Sequence, residues 1–122
     1  KHWDLRLRRS KAWVVLAIDE ATASSVCCGF INVETHFPRQ GYLDSLYIHP
    51  DYQGQGLGER AYLVLEAWAK AQGYVRLSLD ASYLSKGLFT RMGFIQIQRS
   101  YQQKLGQVIP GFYMEKNIGK NI

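Results

Sequence analysis

Apolar positions along the chain fall into short runs separated by turn-forming residues, with one change of period in the middle. Residues 12–19 (AWVVLAID) are rich in Val, Leu and Ile and predict a strand. Residues 26–33 predict a second strand, hairpin-paired to the first across a turn at 20–25. A connection at 35–40, with Pro38, leads to a third predicted strand at 42–48. Pro50 ends it, because proline cannot donate to a ladder. From Leu57 to Gln72 the period lengthens: Leu57, Ala61, Val64, Leu65 and Trp68 follow the i, i+4, i+7 spacing of a helix that buries one face. Gly73 suits its C-terminal cap. Residues 75–79 predict a strand, and residues 85–92 a short helix stopped by Gly93. Strands at 94–98 and 112–115 are expected to be separated by a polar stretch containing Gly106 and Pro110. The order is β-β-β-α-β-α-β-β. Its strand-helix-strand centre implies a crossover with a locally parallel pair. Its ends imply antiparallel hairpins, so the fold class is α/β with a mixed central sheet.

The length of 122 residues fits one domain, and 47% apolar with 20% charged residues supplies a packed core. No apolar run approaches the ~20 residues of a membrane span, and the start lacks the pattern of a signal peptide. Cys27 and Cys28 are adjacent, so on a strand they point to opposite faces and cannot easily bridge or share a metal. Both read as small core residues. His2, His36 and His49 are scattered, and no zinc spacing is present. These features predict a cytoplasmic protein without a metal or a membrane contact. The net charge of +5 is local: Lys1, Arg6, Arg8, Arg9 and Lys11 face one acid, Asp4, and the rest of the chain is nearly balanced. Residues 1–11 read as a basic arm or helix tail, with Trp3, Leu5 and Leu7 as apolar contacts. Nucleic acid could bind such a cluster, but a solvated helix end is the plainer reading.

The chemistry concentrates in residues 46–58, LYIHPDYQGQGLG. Gly54, Gly56 and Gly58 lie between a strand and a helix start. Without side chains they let several backbone N–H groups converge at the positive end of the helix dipole, which makes an anion site suited to a diphosphate. A Walker loop fails, since Glu59 and Arg60 follow Gly58 where Lys-Ser/Thr is required. A dinucleotide loop also fits poorly: Glu59 takes its third glycine position, although Asp80 stands where such a fold places its ribose-binding acid.

The pattern Gln53-Gly54-Gln55-Gly56-Leu57-Gly58, preceded by a strand ending in Ile-His-Pro-Asp-Tyr, resembles motif A of the GNAT superfamily of acyl-CoA-dependent N-acetyltransferases. Asp80-Ala81-Ser82 and Arg91-Met92-Gly93-Phe94 are similar to that family's motif B, and residues 112–116 to its last strand. The resemblance covers about residues 12–118, which form one GNAT-like domain with a tail at 119–122. It implies the acyl-CoA N-acyltransferase fold and acetyl-CoA as co-substrate. It further implies that the backbones of Leu46 and Ile48 pair with the pantetheine arm. The pyrophosphate would then lie on the loop of Gln53, Gly54, Gln55, Gly56, Leu57 and Gly58, with Ser82 at the family's Asn position.

Two departures from the family pattern carry consequences. Phe89 stands where the family has a tyrosine that protonates the departing thiolate, and phenylalanine cannot donate a proton. Tyr83 is the nearest substitute, with Tyr101 and Tyr113 further off. The family's first strand and two helices have no counterpart in these residues, so either this is part of a longer chain or a partner, such as a second copy in a homodimer, completes the missing wall. Asp44, the acid of the third strand, is the expected base for the acceptor amine. The implied reaction is direct acetyl transfer to a primary amine of a small molecule or a protein. The alternatives are a non-catalytic CoA-binding or interaction module and a GNAT enzyme acting on a nucleic-acid-linked amine.

Overall fold

The computed structural model describes residues 10–19 and 21–119. Most of the expected basic arm, and the tail beyond Gly119, lie outside the described residues. The predicted order is reproduced: β1 (Ser10–Asp19), β2 (Ser24–Glu34), β3 (Leu43–Ile48), a 3-10 turn (Pro50–Tyr52), α1 (Leu57–Ala71), β4 (Arg76–Ala81), α2 (Lys86–Arg91), β5 (Ile95–Lys104) and β6 (Gln107–Asn117).

The strands form two antiparallel triplets, β1-β2-β3 and β4-β6-β5. The parallel element of this mixed architecture is a single bridge, Tyr42 to Ser78. The Ser78 amide donates to the Gly41 carbonyl at 2.9 Å, and the Gly41 amide donates to Glu34 at 2.8 Å. Gly41 has φ +88°, and a Cβ there would stand 2.5 Å from the Arg76 carbonyl oxygen. Only glycine satisfies both limits. Beyond this bridge β3 and β4 are not paired, and their facing edges diverge.

The polar stretch expected between the last two strands is itself strand. β5 and β6 form one long hairpin closed by Leu105 (φ 52°) and Gly106 (φ 75°) between the paired residues Lys104 and Gln107. Positive φ at both turn residues matches the twist of a two-residue hairpin. Pro110 is tolerated because the ladder between β6 and β4 starts only at Phe112, opposite Ala81.

α1 covers one face of the junction between the triplets. Ala61, Tyr62, Leu65 and Ala69 pack with Ile31, Val33, Leu43, Leu77 and Met114. The buried stripe is rotated from the expected one: Val64 is 52% exposed, whereas Tyr62 and Glu66 are buried. The rotation follows from a polar contact. Glu66 Oε1 accepts from Tyr62 Oη and, at 2.6 Å, from Lys116 Nζ on β6. Lys116 also donates to the Met92 carbonyl at 2.7 Å, and Lys70 Nζ lies 3.1 Å from Glu66 Oε2. Cys28 is buried as expected, with its Sγ 3.3 Å from the Val15 carbonyl. Cys27 is exposed, because the alternation of β2 turns it to the opposite face. That face also carries exposed Val14, Leu16, Phe30 and Tyr47. No described helix is long and apolar enough to cross a membrane.

Burial alone would raise the Glu66 pKa, but the bonds from Lys116, Tyr62 and Lys70 outweigh it and hold the carboxyl at about 2, below its ordinary 4.5. A depressed carboxyl favours the folded state above its unfolded pKa and loses that contribution as pH falls toward the folded one. Urea midpoints should therefore decrease between about pH 4.5 and pH 2. Glu66→Gln should be less stable at neutral pH and show a flatter dependence across that window.

Candidate functional site

The diverging edges of β3 and β4 open a cleft of about 920 Å³. The 3-10 turn and the glycine loop close one end. His49 starts that turn: its Nδ1 accepts the Asp51 amide at 3.1 Å, a capping contact. Gly54 and Gly56 have φ +81° and +75°, and a Cβ at either would meet nothing within 4 Å. These two glycines are required by the backbone conformation, while the space beside them stays open. Gly56 is the N-cap of α1, and the first helical bond runs from the Arg60 amide to the Gly56 carbonyl at 3.1 Å. The amides of the first turn consequently have no partner inside the helix. They converge with the dipole on the end of the cleft that Arg91 also lines. Arg91 lies 3.4 Å from Glu59 of the first helical turn.

Most of the predicted site residues meet in this cleft. Asp44, Leu46, Ile48, Gln53, Leu57 and Ser82 line it, together with Gly54, Gly56 and Gly58. Gln55 and Tyr83 are not among its lining residues. Tyr83 is 57% exposed; its ring packs at a tilt against Phe112 and its hydroxyl accepts from Arg99. Gln53 ties the loop to the strand, since its Nε2 donates to the Ile48 carbonyl at 2.9 Å. Ser82 is committed to the start of α2, where its amide donates to Ser85 Oγ at 2.9 Å and its Oγ accepts the Ser85 amide at 3.1 Å. Phe89 lines the cleft and packs edge-on against Tyr62 and Phe94.

Several lining residues were not singled out from the sequence as parts of this site. Asp80, Ser100 and Gln102 face the end away from the glycines. Asp80 Oδ2 accepts the Tyr42 hydroxyl at 2.6 Å, and Gln102 Nε2 donates to the same hydroxyl at 3.3 Å. Burial and then the Asp80 carboxylate push the Tyr42 phenol up to about 12, so Tyr42 acts as a donor. Tyr52 and Arg91 complete the opposite end. No group of three or more His, Cys, Asp or Glu side chains suited to a metal occurs among the described residues.

A loop of positive-φ glycines, a helix start and an unpaired strand edge thus converge in one cleft. The model of the acetyltransferase (GNAT) family matches residues 1–94. The chain belongs to the GNAT family. It is 29% identical over 112 residues to an uncharacterized N-acetyltransferase of Escherichia coli, YafP, covering 92% of this chain and 64% of that protein. The GNAT fold recurs in a GCN5-related N-acetyltransferase from Rhodopseudomonas palustris, with 28% identity and a TM-score of 0.75. That match covers 94% of this chain and 66% of the other. An aminoglycoside 6'-N-acetyltransferase complexed with coenzyme A has the same fold at 14% identity, with a TM-score of 0.73 over 100% of this chain and 81% of its own. The chain spans less than two thirds of the length of the first two relatives.

Because the Cβ of an alanine at Gly56 would meet open space, Gly56→Ala should still fold. The left-handed conformation costs a side-chain-bearing residue about 1–2 kcal/mol. A urea titration should show a loss of that size, and a Gly73→Ala control (φ +85°, also open) should show a similar one.

Proposed function

We propose that this chain binds acetyl-CoA in the cleft and moves its acetyl group directly to a primary amine. The observation that carries the reading is the junction of the glycine loop with the divergent edge of β3. A pyrophosphate suits the amides of residues 54–58, and Arg91 adds positive charge at that end. An amide-containing pantetheine arm suits the edge at Leu46 and Ile48, where it would extend the sheet as a strand does. Gln53 holds the loop against that edge, and Ser82 shapes the opposite wall through α2. Bound acetyl-CoA supplies the thioester carbonyl carbon that the amine attacks.

Asp44 receives the proton of the incoming ammonium, directly or through water, which frees the nitrogen lone pair. The amide of Tyr47 or Ile48 donates to the oxyanion. Tyr83 is bound to Arg99 outside the cleft lining, so in this reading water rather than Tyr83 exchanges protons with the departing thiolate. Phe89 favours a second reading, a GNAT domain that binds CoA without turnover, because the buried ring at this wall has no proton to give.

Calorimetric titration with acetyl-CoA, desulfo-CoA and NAD separates these readings. Saturable binding of both CoA compounds but not NAD is expected. Gly56→Ala should weaken it about tenfold, the effect of about 1.4 kcal/mol. Steady-state rates with varied acetyl-CoA and amine should give intersecting lines, as a ternary complex requires. Asp44→Asn should keep CoA binding and lower kcat/KM by about 10²- to 10⁴-fold, most at low pH. Absence of CoA binding sinks the proposal, and binding without transfer to any amine favours the non-catalytic module.

A further inference from the structure

Charge is spread unevenly along the cleft. At the glycine end Arg91 is balanced by Glu59 at 3.4 Å and the helix start adds its dipole, whereas Asp44 on β3 and Asp80 on β4 line the cleft without a cationic side chain among its lining other than Arg91. Arg91 is the one lysine or arginine among the lining residues.

The two carboxylates are not equivalent. Asp80 is fixed, with Oδ2 taking the Tyr42 hydroxyl at 2.6 Å. Tyr42 is held in turn by Gln102 at 3.3 Å and by the Arg39 guanidinium, 4.1 Å from the ring centroid. Among the described residues no cationic side chain forms an ion pair with Asp80. Arg39 lies over the tyrosine ring and acts on the Tyr42 hydroxyl rather than pairing with Asp80 directly. A half-buried carboxylate left in this state is a strong site for a cation.

We propose that Asp80 is a specificity-determining residue that takes a second cationic nitrogen of the acceptor, so that the acceptor class is a compound with two amino groups. The inference rests on the transfer reading above. The reacting ammonium gives one proton to Asp44. Its nitrogen then bonds to the thioester carbonyl carbon, the carbon–sulfur bond breaks, and the second proton shed by nitrogen neutralises the thiolate. The other ammonium stays protonated on Asp80 throughout. Tyr42 is a positioning residue, because it acts only through Asp80.

The test uses the full chain with acetyl-CoA and two kinds of probe: butylamine, and the diamines from 1,3-diaminopropane to 1,6-diaminohexane. At least one diamine should exceed butylamine in kcat/KM by about ten- to a hundredfold, the range of a hydrogen bond to a charged group. Asp80→Asn should collapse that ratio mainly through the KM of the diamine, and Tyr42→Phe should reduce it in part. Retained acetyl-CoA binding at the glycine end reports that the variants fold. A wild-type ratio near one for every diamine, or a ratio that survives Asp80→Asn, overturns the inference. If no amine is acetylated, the transfer reading fails, and calorimetry of the same diamines still decides the role of Asp80. Binding that is tighter than butylamine and lost in Asp80→Asn supports it, and equal binding overturns it.

Discussion

Everything at the site depends on how little β3 and β4 pair. Two parallel strands with compatible side chains ordinarily continue their ladder, since each unpaired amide and carbonyl needs another partner. Here the ladder stops after the Tyr42–Ser78 bridge. Gly41 fixes that stop, because its φ of +88° and its approach to Arg76 bring the backbones together at one point. Right-handed twist then carries the two triplets apart. The result is a wedge whose apex is tight and whose open sides carry backbone groups in search of partners. A ligand with amide groups can enter such a wedge as a strand would.

A wedge alone would not place a phosphate site; α1 must start at its mouth. The helix is held there from below. Glu66 gathers Tyr62 and Lys70 of the same helix and Lys116 of β6, and Lys116 reaches on to the carbonyl of Met92 at the end of α2. One carboxylate therefore fixes α1, α2 and the central strand of the second triplet relative to one another. Well-packed apolar residues could give comparable stability, as buried ion pairs often add little net energy. An apolar patch would tolerate sliding and rotation of the helix, whereas directional bonds to one oxygen pair do not. We read the cluster as setting the register of α1, which in turn aims its first-turn amides.

The glycine loop was legible in the sequence because its chemistry is local. Gly54 and Gly56 sit within a few residues of the strand and the helix that give them meaning, and Pro50 marks the boundary. The β1–β2 hairpin was legible for the same reason. The antiparallel pairing of β5 with β6 was legible too, but its length was not: Leu105-Gly106 lacks the Asn-Gly or Asp-Gly signal, and the polar residues Gln102 and Gln103 imitate a loop where the ladder in fact runs on to Lys104. Val64 was assigned to the core and Glu66 left out, because a 3.6-residue period cannot foresee that a lysine fifty positions away will bury a carboxylate. Asp80 was the hardest to place. Its partner Tyr42 lies 38 residues away across the seam, and the motif that contains Asp80 says nothing of that contact.

The absence of a tyrosine at Phe89 looks like a defect until the protons are counted. An amine enters as an ammonium with one proton too many for attack. After the carbon–nitrogen bond forms, the nitrogen must shed another to become an amide. Two protons are thus released within reach of the thiolate, and only one needs Asp44. Stoichiometry then asks for no acid from the protein. It asks for sulfur and nitrogen held close, since proximity governs whether the second proton passes between them or escapes to water. Phe89 is 6% exposed and locked among Tyr62 and Phe94, so it offers a rigid apolar wall where the family places a hydroxyl. Under this reading the demands on the acceptor end increase, because an acceptor held at one nitrogen could swing away from sulfur. An acceptor anchored at a second nitrogen by a fixed carboxylate cannot, and the arrangement of Asp80, Tyr42 and Gln102 meets that demand with the strands already in place.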